Sequence, residues 1–176
     1  PHSAGFKRFD LPDSKFSVEV CGDAPVEQDL EIAESDFAKS GKLFIAPNEE
    51  GDLIATVTHW KGGKVLPNIG LAAYTKDVLD SYKERDEEEG TESKVISRAT
   101  GMFAERLAHY YTVRIKSAEK TVIERCMLTS GKDGIIDLTV IYDSSSDRAA
   151  QEAEAIISSV MYQGERIRNK CEIKLP

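Results

Sequence analysis

Apolar and polar residues alternate in twos along most of this chain and shift to a spacing of three and four in only two stretches. Phe16, Val18 and Val20 share one face of an extended segment, with Ser17 and Glu19 between them. A shorter, mixed segment from Phe6 to Leu11 precedes it, joined by a Pro12-Asp13-Ser14 turn. Cys21 to Pro25 breaks the strand, and residues 26–40 are acidic and low in pattern. Lys42–Ala46 and Asp52–Trp60 are predicted strands, joined through Pro47-Asn48-Glu49-Glu50-Gly51 as a hairpin-like connection. Leu53, Ala55, Val57 and His59 form the more apolar face of the later strand, and Lys61 to Lys64 then turns the chain.

Residues 69–87 carry the first change of period. Ile69, Ala72, Ala73, Lys76, Leu79 and Tyr82 recur at helical spacing, widened by Leu71, Tyr74 and Val78. The run Glu84 to Gly90 then places acids where the helix macrodipole is negative, so the last turn is expected to fray into a solvated loop. A strand meander follows: Lys94–Arg98, Met102–Lys116 split off by Thr100-Gly101, Thr121–Thr129, and Ile135–Tyr142. Leu107, His109, Tyr111, Val113 and Ile115 share one face of the long segment. Ile136, Leu138, Val140 and Tyr142 face the core, and Ser130 to Gly134 makes the hairpin turn between the last two strands. The second helix is predicted from Asp147, the favoured N-cap, to about Tyr162, with Gly164 as its stop. The tail from Glu165 alternates weakly and reads as a loose strand.

This order predicts an α+β fold, an antiparallel β-sheet packed by two main helices. One domain is expected over residues 6–163, with 164–176 as an extension. Pro1-His2-Ser3 reads as an expression scar, so residues 1–5 are set aside, and the start at Pro1 is expected to reflect trimming. The 176 residues are enough to bury a core without staples. A net charge of -8 disfavours phosphate backbones, and the basic residues are interleaved with acids, so no nucleic-acid surface is expected. No stretch approaches the ~20 apolar residues of a membrane helix. Three cysteines, Cys21, Cys126 and Cys171, leave both one disulfide and three free thiols open.

Three local patterns resemble the Mog1/PsbP-like superfamily. They are Phe9 to Val20 with Pro25, the tyrosine-bearing Leu107 to Val113, and the closing Ile156-Ile157-Ser158-Ser159-Val160. The resemblance spans roughly residues 6–163 and implies an α/β/α sandwich around an antiparallel sheet. It also implies a non-enzymatic accessory or binding role, with an exported or periplasmic setting slightly favoured.

No G-x-S-x-G, H-E-x-x-H or GxGxxG motif occurs. Thr129-Ser130-Gly131-Lys132 lacks the upstream glycine and following helix of a P-loop and reads as a turn. His59 and His109 are expected to be core or edge histidines; a shared ligand pocket or a Cys126–His109 nucleophile pair is the sharper alternative. The acids Asp86, Glu87, Glu88 and Glu89, with Trp60 and Tyr110, are the expected carriers of partner binding. No cofactor and no metal are expected. The expected function is binding of a protein partner, basic in character, as an adaptor or immunity protein would. A small-molecule or lipid carrier and an enzyme using His59 or His109 are the alternatives.

Overall fold

The computed structural model describes residues 5–22, 24–33, 37–63, 67–103 and 106–175, with only the backbone of 67–69. Residues 1–4, the expected turn at Lys64 and the Ile69 side chain lie outside the described residues. In chain order the elements are β1 (Phe6–Asp10), β2 (Phe16–Cys21), β3 (Val26–Leu30), β4 (Ala38–Pro47), β5 (Leu53–Gly62) and α1 (Pro67–Glu89). They continue as β6 (Glu92–Phe103), β7 (Arg106–Lys116), β8 (Thr121–Gly131), β9 (Gly134–Asp143), α2 (Asp147–Ser158), β10 (Met161–Tyr162) and β11 (Arg168–Glu172).

Among the described residues, eight strands form one sheet in the order β11-β6-β7-β8-β9-β5-β4-β3. Every pairing in it is antiparallel. A second, three-stranded sheet, β1-β2-β10, lies apart from it. The strict two-residue period assigns each strand two faces, and both are covered. On one face Phe16 and Val18 of β2 and Ala149, Ala153 and Ile156 of α2 bury against Leu53, Val57, Met127, Leu138 and Val140. On the other face Leu71 and Tyr82 of α1 bury against Tyr111, Val113, Ile115, Cys126 and Leu128. The molecule is the α+β fold with an antiparallel sheet and two main helices that the alternation predicted, arranged as the α/β/α sandwich that the resemblance implied.

Several expectations are corrected. α1 does not fray in its acidic run, because the run caps itself. Asp86 accepts from Thr91 Oγ1, from Ser93 Oγ at 2.7 Å and from Ser93 N at 2.7 Å, and Gly90 takes a left-handed φ of 67° with its N–H on Asp86 O. The buried face of α1 runs through Leu71, Thr75 and Tyr82, leaving Ala72, Ala73 and Lys76 exposed. The patternless stretch 26–40 holds β3 and the start of β4. Thr100-Gly101 does not split a strand: β6 runs through it, with Gly101 opposite Ala108 and the Ile167 side chain packed where a Cβ would stand.

α2 is capped by Ser146, not Asp147, and ends at Ser158, four residues before Tyr162. Ser146 Oγ accepts from Ala149 N at 3.1 Å while donating to Asp52 at 2.7 Å. Ser159 stops the helix: its Oγ donates to Ile156 O at 2.7 Å and accepts from Glu19 N at 2.8 Å, steering the chain into β10. Gly164 instead serves the turn joining Tyr162 to Glu165. Ser146→Ala is expected to cost about 1 kcal/mol, measured by urea unfolding. Asp147→Ala, in the first turn but not the cap, is expected to cost less.

Candidate functional site

α1 packs over β6, β7 and β8 and leaves the same face of β9, β5, β4 and β3 partly bare. Register places Ile54 beside Ile141, Thr56 between Thr139 and Ile45, and Val26 beside Ile45. Ile54 is 41% exposed and Val26 65% exposed, so this strip presents aliphatic surface to solvent. Between the strip and α1 runs a groove of about 520 Å³. Its walls include Glu84, Glu88, Glu89, Glu124 and Asp137, against Arg85 as the one cation among the lining residues.

The floor of the groove is held by a polar network. Glu124, 6% exposed, accepts from the Tyr82 hydroxyl and from Arg85 Nη2 at 3.3 Å. Burial, with Cys126 and Glu124 nearby, keeps the Tyr82 phenol protonated. Asp137 accepts from Thr139 Oγ1 at 2.9 Å. Burial, with the Glu124 charge adding to it, pushes the Asp137 carboxyl up to about 6. Buried charges are ordinarily paired, and no salt bridge reaches Asp137 among the described residues. The groove is therefore a negatively charged slot in which one carboxyl, desolvated and beside Glu124, has no cation to lower its pKa.

The residues singled out in the sequence divide across the molecule. Glu88 and Glu89 line the groove. Asp86 is committed to capping α1, and Glu87 is exposed beside it. Trp60 shares the groove's sheet face, but its ring lies over Gly41, within 2.6 Å of where a Cβ would stand, and its indole N–H is buried without a partner. Tyr110 points to the opposite face of the sheet, 8% exposed, with Lys170 Nζ 4.6 Å from its ring centre. Trp60 and Tyr110 thus belong to different surfaces. Sequence reading missed Glu124 on β8 and Asp137 on β9. The signal was an acid among apolar positions: Glu124 between Val122 and Cys126 on its face of β8, and Asp137 between Ile136 and Leu138 along β9.

The histidines also separate. His59 faces the α2 side, is 2% exposed, and its Nε2 donates to Asp133 O at 2.5 Å. His109 faces the α1 side with Nδ1 buried and unpartnered. Burial lowers the pKa of both. No one pocket takes both. Cys126 neighbours Tyr111 and Thr139, with Thr139 Oγ1 3.6 Å from its Sγ, rather than His109. Burial pushes its thiol up, as it pushes Cys21 to about 11, so neither is poised as a thiolate. All three cysteines are free, Cys171 at the surface. Among the described residues no three His, Cys, Asp or Glu side chains converge to hold a metal ion.

Beneath the β8–β9 hairpin sits a structural hub. Arg106, 6% exposed, donates to Thr129 Oγ1 at 3.0 Å, to Gly134 O at 3.2 Å and to Asp133, and its guanidinium stacks on Tyr162. Asp133 also accepts from Ser14 Oγ at 2.7 Å and Tyr162 Oη at 3.0 Å. Gly134 there has φ of 104°, and the Trp60 carbonyl lies 1.9 Å from where its Cβ would stand, so the turn admits no side chain.

The interleaving of bases and acids along the chain is also resolved in three dimensions. Lys94 and Arg114 stand directly opposite each other on β6 and β7, with Lys116 two residues on, all on the α2 side. The sequence offered no basic patch because these residues are 20 or more positions apart or separated by one that faces away.

No family model matches the chain, and no curated protein matches it in sequence. Among solved structures, the solution structure of cyanobacterial PsbP (CyanoP) from Synechocystis sp. PCC 6803 superposes with a TM-score of 0.58 at 10% identity, covering 92% of this chain and 94% of that one. A structure from Bacteroides thetaiotaomicron VPI-5482 gives 0.43 at 16% identity over 89% of this chain and 48% of that one. The protein of unknown function PA94 from Pseudomonas aeruginosa gives 0.38 at 11% identity over 86% and 92%. The first of these shows that the chain has a PsbP-like fold. No helix among the described residues is long and apolar enough to cross a membrane.

Proposed function

We propose that this protein is a non-enzymatic binding module whose partner is a protein presenting basic and aliphatic side chains to the α1 groove. The observation that supports this reading is the pairing of two surfaces. A bare strip of Ile54, Ile141, Ile45 and Val26 adjoins a slot lined by five carboxylates and one arginine. An extended segment laid beside α1 would place aliphatic residues on the strip and lysine or arginine in the slot. Charge complementarity would set approach and register, and apolar burial would supply most of the affinity. An adaptor or an immunity protein that masks a basic partner needs no more chemistry than this.

The test uses a synthetic peptide of alternating lysine and leucine, titrated into 15N-labelled protein. Shifts are expected at Ile54, Glu84, Glu88, Asp137, Thr139 and Ile141, weakening as salt is raised. The Glu84→Lys, Glu88→Lys double variant is expected to bind at least tenfold more weakly, about 1.4 kcal/mol, with an unchanged spectrum elsewhere. Equal binding by that variant, or shifts centred on another face, would refute the reading.

A further inference from the structure

On the opposite face of the sheet, β6, β7 and β8 extend beyond the cover given by α2. Lys94 and Arg114 are cross-strand partners there, and Lys116 follows Arg114 on the same face. Like charges set directly opposite in an antiparallel pair destabilise it, because their side chains stand about 5 Å apart. No salt bridge neutralises any of the three among the described residues, even though Glu92 is the cross-strand partner of Lys116. In a chain with eight more acids than bases, three unpaired cations held together run against the general charge balance. An anionic ligand removes that cost.

The surroundings specify the anion. A hollow of about 580 Å³ is lined by Lys94, Arg114 and Lys116, by the hydroxyl-bearing Thr121 and Ser144, and by one acid, Glu92. Ser144 is fixed there, since its N–H donates to Thr121 O at 3.0 Å. A planar guanidinium, two ammonium groups and two hydroxyls match the several oxygens of a phosphate group better than the two of a carboxylate. Farther along the same face Arg125 is paired with Glu154, while Lys170 lies over Tyr110. The unneutralised charge is thus concentrated at Lys94, Arg114 and Lys116. We infer that this hollow is a binding site for a phosphate-bearing ligand, either a free phosphate compound or a phospholipid headgroup. It is separate from the α1 groove and independent of the function proposed for it.

The experiment titrates inorganic pyrophosphate into 15N-labelled protein, with sodium chloride at matched ionic strength as control, and in parallel sediments the protein with phosphatidylglycerol or phosphatidylcholine vesicles. Saturable shifts at 92–94, 114–121 and 144 with pyrophosphate, at least tenfold weaker in Arg114→Gln and Lys94→Gln, support the site with a free phosphate as its source. Silence toward pyrophosphate, with Arg114-dependent sedimentation on phosphatidylglycerol but not phosphatidylcholine, supports it with a headgroup as its source. Shifts that chloride reproduces, or binding by the variants equal to the parent, overturn it. Thermal melting keeps the variants interpretable: Lys94→Gln removes a like-charge contact and is expected to melt no lower than the parent.

Discussion

Asp133→Ala is expected to destabilise the domain by about 3–5 kcal/mol, the cost of leaving a buried partner charge unpaired. Arg106 is almost wholly enclosed, and Asp133 neutralises it while accepting from Ser14 and Tyr162. One carboxylate thus ties the β8–β9 hairpin to the β1–β2 turn and to β10. Burial alone would raise the Asp133 pKa, but the Arg106 guanidinium and the two hydroxyls outweigh it and hold the carboxyl below its usual range. The sign of the pH dependence follows from that. A depressed carboxylate stabilises the fold above its unfolded pKa of about 3.9, and the contribution is lost as pH falls toward the folded value. Urea unfolding of parent and variant at pH 7 and across the acid range is the measurement. A difference below about 1 kcal/mol at neutral pH, or one that does not shrink in acid, would remove the hub from the account. Pairing Asp133→Leu with Arg106→Met should recover part of the loss, because the stranded charge is then gone too.

Asp137→Asn is expected to move stability the other way. Burial, with Glu124 adding to it, pushes the folded carboxyl up to about 6, above the ordinary carboxylate range. Here the native state holds the proton more tightly than the unfolded chain does. Stability is full below pH 4 and falls as the carboxyl ionises in its largely desolvated site between about pH 4 and 6. Above that it is lower by about 2–3 kcal/mol. The neighbours facing Asp137 cannot offset the charge. Glu124 repels it, Cys126 and Tyr111 stay neutral, Tyr74 is held protonated by burial, and Arg85 is engaged with Glu124. Asparagine keeps an oxygen for the Thr139 hydroxyl and has no charge to desolvate. The variant should therefore gain about 2 kcal/mol at pH 7 and nothing at pH 4. The same carboxyl offers a second readout of the proposed partner. A lysine or arginine entering the groove would favour the ionised form, so binding should release a proton near pH 5.5 and tighten toward pH 7. Calorimetry in two buffers of different ionisation heat measures this.

The frame was legible because both faces of the sheet are buried in a regular way. Val57, Leu138 and Val113 alternate with residues that point to the opposite layer, so period gave strand and face, and the hairpin turns gave the antiparallel meander. The failures have separate physical causes. β3 escaped because it is an edge strand with four of its five residues exposed, so burial imposed no pattern on Val26-Glu27-Gln28-Asp29-Leu30. The end of α1 was misread because a macrodipole argument worth under about 1 kcal/mol met a side-chain cap made by Asp86. α2 was read too long because Val160 and Met161 keep an apolar pattern. Val160 does so in the connection and Met161 in β10, after Ser159 has turned the chain. Of the candidate site, the exposed acids Glu88 and Glu89 were visible as a run. Glu124 and Asp137 join them only through the pairing of β8 with β9 and the passage of α1 overhead, which no local window contains.

The small sheet closes residues 16–17 of β2 onto residues 161–162 of β10. During synthesis Phe16 and Val18 emerge some 145 residues before the segment that completes their sheet. At about 5–20 residues per second that is a wait of several seconds or more with an apolar ribbon unsheltered. The β2 ribbon is therefore open to chaperone capture or aggregation until β10 emerges, and a translational pause placed before β10 would lengthen that window.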